Sequence, residues 1–145
     1  MSPQRHVLCG TILGVGILVK NKEIDTALSC LVGSVIPDVD HILEYTKYCS
    51  EYNKKPSFKE FVSGKYFDDK KTVYVLLHGW EFAVIGLILL CKQKDKCNNI
   101  VKGLSLGYMS HMILDQIGNN VTMKGYFWLY RWWKDWKQED LIRKE

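Results

Sequence analysis

The stretch SVIPDVDHILEY, residues Ser34–Tyr45, decides how the rest of the chain is interpreted. Its centre, Pro37–His41, follows an apolar run from Ala27 to Ile36 and places two carboxylates and an imidazole directly after the proline. Charged groups are costly to bury unless they are paired or bound to a cation. We therefore expect a helix that delivers Asp38, Asp40 and His41 to a cation or to a partner group.

Periodicity and turn residues predict an all-α fold, a compact single-domain bundle of five or six helices over residues 1–145. The predicted helical segments are Pro3–Val19 with Ser2 as N-cap, Asp25–Ile36, Asp40–Tyr48, a short helix from the Ser57 capping box to Gly64, Lys71–Lys92, Asn98–Ile117 and Tyr126–Lys137. Polar loops are expected at Cys49–Pro56 and Gln93–Asn99. A strand over Thr72–Leu77 is the competing interpretation, because Val-Tyr-Val is β-rich.

The composition excludes several classes of protein. The 20 Lys and Arg residues are balanced by 16 Asp and Glu residues, and a net charge of +4 does not favour a nucleic-acid partner. The five cysteines are odd in number and form no C-x-x-C pair, which argues against a disulfide framework or a zinc ribbon. They are expected to be unpaired thiols in a reducing compartment.

Membrane association is left open by the sequence. The longest apolar stretch, Val73–Cys91, is long enough to span a bilayer, but it carries His78 and Glu81. The mean hydropathy of −0.13 argues against a polytopic protein. The apolar N-terminus is followed by Lys20 rather than by a cleavage site, so it is expected to be a helix of the mature protein. A cytoplasmic location is expected, with peripheral or integral attachment to the inner membrane as alternatives.

All four histidines lie in or beside apolar runs, and each has a different predicted helix as host. They are His6, His41, His78 and His111. A single histidine on an apolar face is usually a hydrogen-bonded core residue. Four histidines placed in this way favour a shared site.

Two of these histidines have a carboxylate one helical turn away. His111 and Asp115 are at i, i+4 and His78 and Glu81 at i, i+3, spacings that place both members on one helix face. Either pair could be an ordinary ion pair or core hydrogen bond, and an aspartate of the Ser34–Tyr45 stretch could cap the next helix. Mixed sets of this kind, projecting inward from facing helices, also build carboxylate-bridged metal centres. The donors suit Zn²⁺, Mn²⁺ or Fe, as one ion or two.

Three motifs of the chain resemble a known family. The run GSVIPDVDH, the isolated His78 and the run GYMSHMILD are similar to segments of the small bacterial membrane-bound metal-dependent hydrolases, a family distantly similar to zinc-dependent phospholipase C. The resemblance implies metal ligands at His6, Asp38, His41, His78, His111 and Asp115. Asp40 matches the second acid of the family segment, as a ligand or beside one. The chain departs from many relatives at Leu77-His78-Gly79, where they carry Thr-His-Ser.

This resemblance implies a metal-dependent hydrolase. Since two-metal sites favour hydrolysis of phosphoesters by a metal-activated water, the expected substrate is a phosphoester, either a small molecule or a lipid derivative. The expected cofactor is one or two divalent ions, with zinc favoured over manganese or iron. Glu81 and Asp40 are the predicted catalytic residues, as candidate general bases chosen by position. The alternative is a non-catalytic helical binding or scaffold protein, membrane-associated, with a structural metal or none.

The C-terminal segment, residues 125–145, is aromatic and basic. Its first part, GYFWLYRWWKDWK, holds four of the five tryptophans, and Trp128, Trp132 and Trp136 would form one stripe on a helix. These rings could close the bundle, bind a protein partner, or place Tyr126–Lys137 at a membrane surface, where Trp and Tyr are found beside Lys and Arg.

Overall fold

The structure is a computed structural model that describes residues 3–92 and 97–143. Its helices are α1 (Pro3–Asn21), α2 (Ile24–Gly33), α3 (Asp40–Glu51), α4 (Phe58–Ser63), α5 (Tyr66–Asp69), α6 (Trp80–Lys92), α7 (Cys97–Gly118), α8 (Trp128–Trp133) and α9 (Gln138–Leu141), with 3-10 turns at Ile36–Val39 and Lys124–Tyr126. The predicted all-α fold is confirmed, although the described chain has seven α-helices of six or more residues rather than five or six.

Helices α2 and α7 make the most extensive contact of the bundle. A Cβ atom on Gly103 would lie 2.3 Å from the carbonyl oxygen of Thr26, and one on Gly107 would lie 2.0 Å from that of Cys30. The two pairs have the same sequence separation, so α2 and α7 run in the same direction with matching four-residue steps. The next step along both helices brings Ser34 to α7, at the end where the candidate site lies.

Helix α1 packs against both α2 and α7. Gly14 faces the backbone of Ala27, whereas Gly10 faces Ser34, so α1 runs antiparallel to α2. The first turns of α1 and the last residues of α2 therefore lie at the same end of the bundle. Helix α6 packs along α7 and completes the set of four.

Helices α1, α2 and α6 bury mostly small side chains and expose large apolar ones. The buried residues of α1 and α2 are His6, Gly10, Gly14, Thr26, Ala27, Ser29, Cys30 and Gly33. On α6, six large apolar side chains are between 42% and 51% exposed: Phe82, Val84, Ile85, Leu87, Ile88 and Leu89. A helix that is apolar all round is normally buried, in protein or in lipid.

One helical stretch, Ile24–Glu51 near the N-terminus, is long and apolar enough to cross a membrane by length and composition. It joins α2, the first 3-10 turn and α3, and it includes both aspartates after Pro37. Length and composition alone also fit a core helix of a soluble protein, so this stretch is weak evidence for membrane association.

The helix predicted over 71–92 is wrong in its first part, because α6 begins only at its second half. Between α5 and α6 the backbone N–H groups bind side chains of α3 instead of forming a helical ladder. The N–H of Tyr74 donates to Glu44 at 3.1 Å, and the N–H of Leu77 donates to Asp40 at 2.7 Å. Tertiary partners thus replace the local bonds that a helix would have required.

Several other predicted bounds are corrected. The second helix ends at Gly33 and not at Ile36, since the chain tightens into a 3-10 turn around Pro37. Helix α3 continues to Glu51, into the predicted Cys49–Pro56 loop. The helices predicted to end near Gly64 and Ile117 correspond to α4 and α7. The predicted N-cap Ser2 and loop residues 93–96 lie outside the described residues.

The aromatic segment is not the single helix that was predicted. Helix α8 ends at Trp133, and Asp135 and Trp136 have left-handed backbones, with φ of 51° and 59°. Trp136 folds back, so that its ring packs at 5.6 Å against that of Trp128. Trp132 and Trp133 are 63% and 72% exposed. The predicted stripe of three tryptophans therefore does not form, because the helix stops before its third member.

Candidate metal centre

All six residues implied as ligands, and Asp40 with them, meet at one end of the four-helix bundle. Three groups each have one ligand atom per residue within 4.8 Å of the others: His6 with His111 and Asp115, Asp38 with His78 and His111, and Asp40 with His41 and His78. The topology explains the convergence. Helix α1 begins here, α2 ends here through the 3-10 turn, α6 begins here and α7 passes through with its C-terminal half.

Neighbouring acceptors orient the imidazole rings of His78 and His111. The Nδ1 atom of His111 lies 2.8 Å from the carbonyl oxygen of Ser34, and Nδ1 of His78 lies 3.2 and 3.3 Å from the two oxygens of Asp40. Both neighbours accept hydrogen bonds, so each Nδ1 carries the proton. In a neutral ring this leaves a lone pair on Nε2, and the two Nε2 atoms face each other at 3.1 Å.

Two carboxylate oxygens face the same point. Oδ2 of Asp115 lies 3.4 Å from Nε2 of His78 and 3.5 Å from Nε2 of His111. Oδ1 of Asp38 lies 3.8 and 3.9 Å from the same two nitrogens. A tetrahedral zinc ion with bonds of about 2.0–2.1 Å separates its ligand atoms by about 3.3 Å. The distances from each oxygen to the two nitrogens are thus close to those between ligand atoms of one divalent cation.

A second set of donors adjoins the first. Nε2 of His6 lies 3.2 Å from Oδ1 of Asp115, and the His6 ring stacks on that of His111 at 3.7 Å. Nε2 of His41 lies 3.4 Å from Oδ1 of Asp38. His6 is fully buried, and its Nδ1 makes no hydrogen bond within the described residues. Since the two oxygens of Asp115 face different imidazoles, the arrangement suits one ion or two that share this carboxylate.

The protonation of His78 reflects its surroundings. Burial favours the neutral ring and lowers the pKa, but hydrogen bonds to Asp38 and Asp40 and the charges of nearby carboxylates outweigh burial and raise the pKa of His78 to about 9. At neutral pH the ring of His78 is therefore protonated in the metal-free protein, and the proton on Nε2 lies where a cation would bind. A divalent cation competes with that proton.

Glu81 does not join the three groups, although the sequence spacing suggested that it shares a face with His78. His78 precedes α6, so the predicted helical pairing of the two residues is wrong. The carboxylate of Glu81 instead accepts the N–H of Leu129 at 3.3 Å, at the start of α8. Asp40, the other predicted base, has its contacts with the ring of His78 and the N–H of Leu77.

Sequence reasoning missed three groups that orient the candidate ligands. Ser34 acts through its backbone carbonyl, so its side chain carries no signal. The hydroxyl of Tyr108 lies 2.6 and 2.7 Å from the carbonyls of Leu77 and Gly79, on both sides of His78. Its position in the run GYMSHMILD was a signal that could have been used. Arg131 stood out in the sequence only as a basic residue among aromatic ones.

A cavity of about 590 Å³ opens from the centre. Four of the candidate ligands line it: Asp38, His41, His78 and Asp115. Much of the remaining wall is apolar, with Phe61, Val62, Phe67, Val73 and Val75. The candidate centre is therefore not closed off by protein on all sides, as a purely structural metal site would be.

Comparisons with known proteins found no family model, no curated protein and no solved structure that matches this chain. The metal, the hydrolase activity and the phosphoester substrate therefore stay predictions, supported by the geometry and by the resemblance of the motifs.

Proposed function

We propose that this protein is a metal-dependent hydrolase that holds one or two divalent ions, with zinc favoured over manganese and iron, and acts on a phosphoester. The observation that carries the proposal is the facing pair of Nε2 atoms, 3.1 Å apart, on His78 and His111. Both rings have their other nitrogen held by an acceptor, and two carboxylate oxygens face the same point. Lone pairs and negative charges converge in this way around a cation.

The residues of the chain would divide the work as follows. A bound divalent cation would supply an activated water and polarise a phosphoryl oxygen. Asp40 and the carbonyl of Ser34 hold protons on Nδ1 of His78 and His111, which keeps each Nε2 free to bind. Oδ2 of Asp38 is buried and makes no hydrogen bond within the described chain. Since Asp38 also lines the cavity, its carboxylate would be a candidate to accept a proton from the attacking water.

The cavity supports a substrate with a charged and an apolar part. Its ligand-bearing wall suits an anionic phosphoester, and its apolar wall, which includes Phe61 and Val75, suits a hydrocarbon group beside that ester. The His-x-x-x-Asp spacing of His111 and Asp115 resembles that of zinc-dependent phospholipase C, and a phosphoester of a lipid or of a small amphiphile would suit such a cavity.

We further propose that α1, α2, α6 and α7 lie in the lipid of a bacterial inner membrane. The stretch Ile24–Glu51 is long and apolar enough to cross a hydrocarbon core of about 30 Å. Helices α1 and α7, with 19 and 22 residues, match that core in length alone, at about 28 and 33 Å. Close contact through small residues, as at Gly103 and Gly107, is typical of helices in membranes. The mean hydropathy of the whole chain is low because it also includes the polar chain between α2 and α6 and the C-terminal segment.

Elemental analysis of the purified protein tests the metal site. Wild type is expected to hold one to two equivalents of Zn, Mn or Fe. His111→Ala and Asp115→Asn are expected to lose them, whereas Asp25→Asn, a control at an exposed acid of α2, is expected to keep them. A phosphoesterase screen of the loaded protein then tests the reaction. A folded wild type that takes up no added metal would contradict the hydrolase proposal and favour a non-catalytic helical binding protein.

A further inference from the structure

A guanidinium from the C-terminal segment holds the segment that carries His78. Arg131 in α8 is 1% exposed, and its Nη2 and Nη1 atoms donate to the carbonyls of His78 and Val75. We propose that Arg131 is a positioning residue, which keeps the imidazole of His78 directed at the facing donors of His111 and Asp115. The inference rests on the metal site proposed above and adds a residue that no motif points to.

The segment before α6 depends on outside partners for its shape. It has no helical ladder, and its N–H groups bind side chains from other elements, as at Leu77, which donates to Asp40, and Gly79, which donates to the hydroxyl of Tyr108 at 3.1 Å. Its carbonyls need hydrogen-bond donors, and Arg131 supplies two of them. A segment held in this way keeps its conformation only while those partners stay in place.

The chain around Arg131 closes over the same segment. The N–H of Val73 donates to the carbonyl of Trp136 at 2.9 Å, and the N–H of Gln138 donates to the carbonyl of Lys71 at 2.9 Å. The ring of Trp136 also lies against the guanidinium, 5.7 Å from its central carbon. Backbone and side-chain contacts thus join the aromatic segment to the segment that carries the candidate ligand.

The chemistry of arginine suits this position. Its planar guanidinium presents two N–H groups in a fixed fork, which can bind two carbonyls of one segment at once, whereas a lysine ammonium is a point charge on a flexible stem. Burying a cation is costly unless its donors are satisfied. Both Nη atoms donate to backbone carbonyls of one segment, so Arg131 can fix the position of His78. Its Nε makes no hydrogen bond within the described residues, and the residue also lines the cavity.

The test compares Arg131→Gln and Arg131→Lys with Arg143→Gln in the full-length protein. Arg143 is a matched control, since it is an exposed arginine of the same segment that donates to the carbonyls of Val121 and Gln116. Hydrogen exchange of residues 72–79 is measured in the metal-free protein, and Zn²⁺ affinity is measured by competition with a chelator. The visible spectrum of the Co²⁺-loaded protein reports the ligand set.

Arg131→Gln is expected to speed exchange over 72–79, to weaken Zn²⁺ binding by about 10–100-fold, as loss of a ligand's supporting partner does, and to change the Co²⁺ spectrum. Arg131→Lys should lie between this variant and wild type, and Arg143→Gln should match wild type. If Arg131→Gln does not fold, the exchange rates, Zn²⁺ affinity and Co²⁺ spectrum of Arg131→Lys are compared with those of wild type instead.

Unchanged exchange and affinity in the Arg131 variants would overturn the inference. A wild type that binds no metal would overturn the proposed function instead. The exchange measurement would still decide whether Arg131 positions the His78 segment, because it is made without metal.

Discussion

Nε2 of His78 and Nε2 of His111 lie 3.1 Å apart, although the two residues come from separate segments of the chain. Each ring has its Nδ1 atom bound to an acceptor, so the facing nitrogens cannot both donate. Either a proton or a cation must lie between them. This choice makes the centre sensitive to pH and to metal, and it underlies the first two predictions.

Metal affinity should rise with pH up to the pKa of His78. The pKa of this group is about 9 in the metal-free protein, so below that pH each unit of acidification should weaken binding about tenfold, because the metal must displace a proton. Chelator competition at pH 6, 7, 8 and 9 measures the slope. His78→Gln should remove the slope, and a flat profile in wild type would show that His78 is not a ligand.

The free energy of unfolding of the metal-free protein should fall as the pH rises, whereas metal affinity should increase. The folded pKa of His78 lies above its ordinary value of 6.5, so its protonation stabilises the folded state fully below pH 6.5, and this contribution is lost as the pH rises through 9. Chemical unfolding of chelator-treated protein should therefore give a lower free energy of unfolding at pH 9.5 than at pH 6.5, because the contribution of His78 is lost. His78→Gln should show a smaller difference between the two values.

Asp40→Asn should weaken metal binding without removing the site. Asp40 contacts Nδ1 of His78 and the N–H of Leu77, and partners of this kind are worth about 10–100-fold in metal affinity. Glu81→Gln serves as a comparison and should leave the affinity unchanged, since Glu81 lies outside the ligand groups. Wild-type affinity in Asp40→Asn, together with lost turnover, would instead favour the original assignment of Asp40 as general base.

Gly107→Ala should destabilise the bundle, whereas Gly16→Ala should not. A Cβ on Gly107 would lie 2.0 Å from the carbonyl oxygen of Cys30, whereas one on Gly16 would meet nothing within 4 Å. Both changes favour helix by about 1 kcal/mol, so the control isolates the clash, which should cost about 1–3 kcal/mol or more. Thermal unfolding in detergent measures the difference. Equal stability of both variants would contradict the close contact of α2 and α7.

The membrane proposal is tested by extraction. Wild type should remain with membranes after an alkaline carbonate wash and should dissolve in detergent. Leu87→Lys, on the exposed apolar surface of α6, should reduce the membrane-bound fraction, because a lysine at the centre of a membrane helix costs about 2.5–3.5 kcal/mol. Phe58→Lys, at an exposed position of α4 outside the apolar helices, is the matched control and should behave as wild type. Release of wild type by carbonate would overturn the proposal.

Much of the candidate site could be predicted from the sequence, because imidazoles and carboxylates beside apolar runs are unusual. His6, His78 and His111 were recognised in this way, and the structure places them within one centre. The helical pairing of Glu81 with His78 was predicted wrongly, because the spacing argument assumed a helix through His78. That helix does not form, since the backbone before α6 finds its partners in α3 and the C-terminal segment.

By itself the sequence determined the all-α class, the approximate positions of the long helices and the residues that could bind a metal, because each depends on local periodicity and residue type. Tertiary structure alone decided which atoms face one another. The parallel register of α2 and α7, set by contact through Gly103 and Gly107, brings the carbonyl of Ser34 to His111. Such contacts join residues that are far apart in the chain, and they are made by backbone groups. Every residue has the same backbone groups, so the sequence does not show which of them will meet.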